Sequence, residues 1–170
     1  MYFRLGQLFW GLLFVILDVR VNGIDLLPDF LGYITVAIGA RGLIEASDRF
    51  RMAANLSWIL AILSLPNVFV PRNTWPMLGL VNIVFDCTMM WFLLGGLIDL
   101  ALARGRLDLA EQAHNRRVAY LTLTCIVAIA SFALRGTHSV GALPVLLAAV
   151  GIVIMAAMIL HLVYRVRHEL

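Results

Sequence analysis

Six apolar segments, separated by short polar stretches, constrain this chain more than any other feature. They run near residues 3–21, 28–47, 53–70, 77–103, 118–135 and 142–164. A helix that crosses a bilayer needs about 20 residues, so six of them would use roughly 120 residues. The chain has 170 residues, which leaves enough for short loops but not for a separate soluble domain. The sequence therefore predicts one domain, residues 1–170, folded as an all-α integral membrane bundle of about six transmembrane helices in three hairpins.

The composition excludes a soluble enzyme and a nucleic-acid-binding protein. Hydrophobic residues make up 62% of the chain and charged residues only 14%, whereas soluble domains have about 45–50% and about 25%. The net charge is +3, but the arginines form no basic stripe on a soluble surface that would bind nucleic acid. The expected partners are the lipid bilayer and either another membrane protein or further copies of this chain.

The arginine distribution predicts the orientation of the bundle. With six spans, ten arginines fall on the side of the two termini: Arg4, Arg41, Arg49, Arg51, Arg104, Arg106, Arg116, Arg117, Arg165 and Arg167. Only three, Arg20, Arg72 and Arg135, fall on the other side. Because positive charge accumulates on the cytoplasmic side of membrane proteins, both termini are expected in the cytoplasm and the chain in the cytoplasmic membrane.

Two segments have a pattern that predicts packing or docking. The second apolar segment carries small residues in line, which would allow a neighbouring helix to approach closely; they are Gly32, Thr35, Gly39, Gly42 and Ala46. Residues 104–117 form the longest polar stretch, which is interpreted as a cytoplasmic connector against anionic headgroups. The alternative is an amphipathic helix that docks a partner.

The first hairpin holds the densest group of polar residues, with Asp18, Arg20, Asp25 and Asp29 within a dozen positions. Three carboxylates and one guanidinium would suit a cation, an amine or a polar headgroup at the external rim. Alternatively, Asp18 and Arg20 simply end the first helix, residues 22–23 form a turn, and Asp25 or Asp29 caps the second helix.

Asp86 is the most anomalous residue of the chain. It lies ten residues after Pro76, hence roughly 15 Å below the outer surface, where an ionised carboxylate costs about 2.5–3.5 kcal/mol. Asn82 lies one turn earlier on the same face and is placed to donate a hydrogen bond to Asp86. Arg41 reaches a similar depth and would pair with Asp86 if the second and fourth helices touch, or else with Glu45 at the i,i+4 spacing. Asp86 is therefore a neutral acid, half of a structural ion pair, or a ligand or proton site.

No catalytic, cofactor-binding or metal-binding motif is present in the sequence. Cys87 and Cys125 lack a second cysteine at C-x-x-C spacing, and His161 lacks a second ligand nearby, so small apolar packing and polar contacts between helices are expected of them. No cofactor and no metal are predicted.

One resemblance rests on the first hairpin. The motif D-x-R-x-N-G-x-D-x-x-P-D-x-x-G-Y, from Asp18 to Tyr33, resembles the first hairpin of small, uncharacterised multi-pass membrane proteins of Gram-positive bacteria. The resemblance covers about thirty residues at most and implies a bacterial membrane location without an activity.

These observations favour a non-enzymatic function. We expect a small integral membrane protein that binds or conducts a small ligand or ion, or that serves as the membrane component of a larger complex. Its candidate site residues are Asp18, Arg20, Asp25, Asp29, Arg41, Asn82 and Asp86. The alternative is an intramembrane enzyme that acts on a lipid headgroup at the external face.

Overall fold

The structure, a computed structural model, describes residues 2–16, 20–21, 24–25, 29–65, 76–133 and 142–169. These ranges contain six helices and a short antiparallel ladder, and the predicted all-α class is confirmed. The helices are α1 (Tyr2–Ile16), α2 (Asp29–Arg41), α3 (Asp48–Ser64), α4 (Pro76–Ala103), α5 (Leu107–Ala133) and α6 (Ala142–Glu169). The ladder joins β1 (Arg20–Val21) to β2 (Ile24–Asp25).

The first three helices differ from their predicted bounds. The first segment was predicted to run to residue 21, but Arg20–Val21 form β1 and α1 ends at Ile16. α2 ends at Arg41 rather than near residue 47, because the chain turns tightly after Gly42, with Leu43 and Ala46 donating to carbonyls three residues earlier. α3 begins at Asp48 rather than near residue 53, since the Ser47 hydroxyl accepts a hydrogen bond from the backbone N–H of Arg49 and caps the helix. The loop between them is therefore residues 42–47.

The polar stretch 104–117 is mostly not a connector. Residues 107–117 form the first three turns of α5, and the link from α4 is only Arg104, Gly105 and Arg106. Gly105 has a φ of 69°, a left-handed conformation that glycine adopts without strain. The apolar face of these turns is buried through Leu109 and Ala113, which explains why a charged sequence continues the bundle as a helix.

The six helices pack in chain order. Each packs against the next, and α1 also packs against α6, which closes the order into a ring. Neighbours run antiparallel: a Cβ atom at Gly11 would contact Val36, and one at Gly39 would contact Leu8. Consequently α1, α3 and α5 begin where α2, α4 and α6 end. This end, which carries the ten arginines assigned above to the side of the termini, is called the arginine-rich end.

Glycines bring α1 and α2 together as the small-residue pattern predicts. A Cβ atom at Gly32 would lie 2.6 Å from Cγ2 of Val15, and one at Gly39 would lie 2.9 Å from the backbone nitrogen of Leu8. Such distances are shorter than any normal carbon contact, so only glycine permits this approach. The prediction is confirmed at these two positions.

The interior and the outer surface are both apolar. The core is built from leucine, methionine and phenylalanine side chains on all six helices, among them Leu8, Phe50 and Leu97. Large apolar side chains are also exposed on every helix, for example Trp10 on α1, Ile62 on α3 and Ile129 on α5. Within the described residues, one segment, Gly79–Ala103, is long and apolar enough to cross a membrane, with a mean hydropathy of 1.7, and Phe3–Val15 is a shorter apolar helix.

Candidate functional site

The side chain of Asp86 lies at the centre of a three-helix contact. The Tyr33 hydroxyl, from α2, donates a hydrogen bond to Oδ1 at 3.2 Å. The Tyr120 hydroxyl, from α5, donates a short hydrogen bond to Oδ2. Both carboxylate oxygens therefore have a phenol donor, and three helices that are distant in sequence meet at one acidic group.

This arrangement explains how an apolar bundle accommodates a carboxyl group. A buried polar group is costly unless hydrogen bonds replace the lost water, and two phenol donors supply part of that replacement. No arginine or histidine in the described part of the chain lies within 4.0 Å of Asp86, so the ion-pair interpretation finds no partner there. A carboxylate offers about four acceptor positions, of which the tyrosines use two.

A cavity of about 280 Å³ opens beside Asp86, between α1, α4, α5 and α6. Its wall is mainly aliphatic, with three methionines. Its polar groups come from Asp86, Tyr120 and Thr124. The remaining lining residues are Leu12, Val15, Met89, Met90, Leu123, Val127, Val153, Met155, Ala156 and Ile159. The arrangement is an apolar chamber with one acidic corner, the usual composition of a small-molecule site.

Asn82 lies one turn before Asp86 on α4, as the sequence indicates, but the structure records no hydrogen bond between the two side chains. The Oδ1 atom of Asn82 is buried and accepts no hydrogen bond from any described residue. The donors to Asp86 are instead the two tyrosines, whose longer side chains reach the carboxylate from α2 and α5.

The predicted pairing of Arg41 is wrong for both proposed partners. Arg41 is exposed at the last position of α2, eight residues after Tyr33, which places it about 12 Å further along the helix axis. Tyr33, rather than Arg41, is the residue of α2 that contacts Asp86. Glu45 lies in the turn beyond the helix end, so the i,i+4 spacing that would bring it to Arg41 does not apply.

The rim residues of the first hairpin are only partly described. Asp18 and residues 22–23 lie outside the described residues. Arg20 and Asp25 face each other as cross-strand partners in the ladder, although their side chains are not described. Asp29 is buried in the first turn of α2, where a carboxylate interacts favourably with the helix dipole. The structure thus places the backbone of Arg20 opposite that of Asp25.

Charged residues tie α5 to α6 at the arginine-rich end. Arg106 donates to Asp108 at 2.9 Å and also to Glu169, while Arg165 donates to Glu169 at 2.6 Å. The hydrogen bonds from Arg106 lower the pKa of Asp108 to about 2. Those from Arg165 and then Arg106 lower the pKa of Glu169. This network fixes the start of α5 to the end of α6, and its side chains are 29–48% exposed.

Comparison with known proteins identifies no relative of this chain. The two cysteines are free, and the described residues contain no group of three side chains suited to a metal ion. No family model matches the chain, and neither a curated protein nor a solved structure is detectably similar to it. The resemblance of the first hairpin to Gram-positive membrane proteins therefore stays a prediction.

Proposed function

We propose that this chain is a multi-pass membrane protein with both termini in the cytoplasm. The exposed apolar side chains on all six helices support this proposal, because such a surface is unfavourable in water and favourable in lipid. In residues 52–65, 79–98, 118–130 and 150–164, Asp86 is the single aspartate, glutamate or arginine. Charge is otherwise gathered at the helix ends, as expected of helices in a bilayer.

Within the membrane, the bundle binds a small amphipathic ligand beside Asp86. The cavity next to this carboxyl is the observation that carries the proposal. An apolar cavity of about 150 Å³ holds benzene, so a cavity of about 280 Å³ has room for an aromatic ring with a short substituent. The unused acceptor positions of Asp86 suit an ammonium group or another hydrogen-bond donor on the ligand. A neutral apolar molecule would fill the chamber without satisfying them.

The cavity lies close to the outer surface of the bundle. Val153 lines the cavity and is 63% exposed. The methionines in the wall, Met89, Met90 and Met155, are flexible side chains that adapt to ligands of different shape. A ligand that partitions into the bilayer can therefore enter sideways, past α6, without passing through water at either end of the bundle.

Ligand-induced thermal stabilisation tests this function. Purified protein in a neutral detergent is heated with 2-phenylethylamine or with ethylbenzene, which has nearly the same shape without the ammonium group. We expect the amine to raise the unfolding temperature more than ethylbenzene does, because only the amine pairs with Asp86. The variant Asp86→Asn should lose the difference between the two compounds. Thr88→Val on the outer face of the same helix is the matched control and should keep it.

A second variant separates lost binding from lost folding. Ala156 is buried and lines the cavity, so Ala156→Leu fills the chamber while Asp86 is retained. The amine should no longer stabilise this variant. An amine effect that survives both Asp86→Asn and Ala156→Leu would refute the proposed site.

A further inference from the structure

A second polar cluster lies near the arginine-rich end, where α3, α4 and α5 meet. Asp99 of α4 accepts a hydrogen bond from the Ser47 hydroxyl at 2.6 Å, and the Nε atom of Arg49 lies 3.4 Å from the same carboxylate oxygen. Arg49 also donates through Nη1 to the carbonyl of Gly95 at 3.3 Å. The guanidinium of Arg49 is thus held against α4, while its side chain remains about half exposed.

Arg117 of α5 belongs to the same cluster and is unusually enclosed. Only 9% of its surface is exposed. The ring of Trp91 covers one face of its guanidinium, with Cζ 3.1 Å from the ring centre. Its Nε atom is buried and has no hydrogen-bond partner in the described part of the chain. A buried charged donor without an acceptor is costly, so an acceptor at this position would be favourable.

The two arginines converge on one point of α4. A Cβ atom at Gly95 would lie 3.0 Å from Nη1 of Arg49 and 3.6 Å from Cζ of Arg117. Among the described residues, Asp99 is the one carboxylate in contact with this group, and it already interacts with Ser47 and Arg49. Two guanidinium groups therefore share a single negative charge, and the first turn of α3 adds the positive end of its helix dipole.

We propose that Arg49 and Arg117 bind an oxyanion, specifically a phosphate group, at this point. Guanidinium groups bind phosphate through paired hydrogen bonds, and two of them around a glycine surface give the geometry and the charge that such a ligand needs. Gly95 lies eight residues and Asp99 four residues before the end of α4, about 12 and 6 Å along the helix axis, so the cluster extends from the apolar interior toward the headgroups. The phosphate is therefore either that of an anionic lipid in the cytoplasmic leaflet or a free phosphate ion.

The experiment separates the two sources of phosphate. Delipidated protein in a neutral detergent is titrated with sodium phosphate, against sodium chloride at equal ionic strength. In parallel it is titrated with phosphatidylglycerol, against phosphatidylcholine. We expect a saturable rise in unfolding temperature in one of these titrations. A response to phosphatidylglycerol alone identifies a lipid, and a response to phosphate identifies the free ion.

Matched arginine variants decide whether the cluster is responsible. Arg117→Gln and Arg49→Gln should weaken the binding at least about tenfold, since a charge-assisted hydrogen bond is lost in each. Arg51→Gln removes the same charge from an exposed position on α3 that pairs with Asp48, and it should bind like the parent protein. If Arg117→Gln does not fold, the more exposed Arg49→Gln gives the result. Equal weakening in all three variants, or no saturable response to either ligand, would overturn the proposal.

Discussion

The contact between α1 and α2 makes a sharp prediction at Gly32. Its missing side chain lets the helices touch through backbone atoms, because a Cβ atom there would lie 2.8 Å from the nitrogen of Val15 and 3.0 Å from the carbonyl oxygen of Gly11. Neither atom can rotate away, so Gly32→Ala is accommodated only if the two helices separate. Gly79 on α4 has no atom within 4 Å of the corresponding position, which makes Gly79→Ala the matched control.

The magnitude follows from two opposing effects. Forcing an extra methyl group into a packed contact costs about 1–3 kcal/mol, whereas alanine favours a helix over glycine by about 1 kcal/mol. Gly32→Ala should therefore lower the free energy of unfolding by up to about 2 kcal/mol, since the helix preference offsets about 1 kcal/mol of the clash. Gly79→Ala has no clash and should leave the stability unchanged or raise it by up to about 1 kcal/mol.

Unfolding in mixed micelles of a neutral detergent and SDS, followed by tryptophan fluorescence, measures both values. The comparison of the two variants removes the helix preference that they share and leaves the packing contribution. Gly42→Ala gives a useful third value, because the atoms it would meet belong to the flexible side chain of Arg4 and can move aside. The packing argument would be refuted if Gly32→Ala were as stable as Gly79→Ala.

Three further predictions concern charge, hydrogen bonding and orientation. Asp108 and Glu169 have lowered pKa values in the folded protein, so their stabilising effect is complete above the unfolded pKa of about 4. This stabilisation is lost as the pH falls through the folded pKa, which for Asp108 is about 2. Over this pH range, hydrogen exchange at the end of α6 should become faster relative to the intrinsic rate at the same pH. Tyr120→Phe and Tyr33→Phe should each destabilise the protein by about 1–3 kcal/mol, and a double-mutant cycle of either with Asp86→Asn should show coupling in unfolding experiments. A C-terminal reporter fusion should be active only in the form that works in the cytoplasm, and an external signal would refute the orientation.

The sequence was sufficient for the number of helices and for the close approach of a neighbouring helix to the small residues of α2. Those features depend on local patterns, namely the length of apolar segments and the spacing of Gly32 and Gly39 along one helix face. It was insufficient for residues 107–117, where high charge suggested a connector. The helix forms there because Leu109, Ala110 and Ala113 repeat at helical spacing and bury one face. This narrow apolar stripe was the signal for a helix, and the high overall polarity of residues 107–117 made it hard to see.

The residues around Asp86 show why the site was only half predictable. Asp86 itself was identifiable, because an acidic residue far from the ends of an apolar helix is rare and costly. Its partners were not, since Tyr33 and Tyr120 lie 53 and 34 residues away and tyrosine is an unremarkable residue in an apolar sequence. The pairing expected from charge, with Arg41, failed because the depth estimate assumed that α2 and α4 begin at the same level. Instead Tyr33, the fifth residue of α2, lies beside Asp86, the eleventh residue of α4. Which residues of two helices meet depends on their register, and the sequence of one chain does not specify it.

The positions of the two clusters on α4 favour binding over conduction along the bundle. Asp86 and Asp99 are thirteen residues apart, about 20 Å along the axis, and the side chains of Leu93, Leu94 and Leu97 between them are completely buried. Phe50 packs against the surface of Gly96 in the same interval. A cation that moved from Asp86 toward the arginine-rich end would have to cross this apolar layer, at a large desolvation cost. It would also meet the positive charges of Arg49 and Arg117 beside Gly95. The cavity beside Asp86 instead reaches toward the outer surface near Val153, so the proposed ligand would enter and leave there, apart from the proposed phosphate cluster.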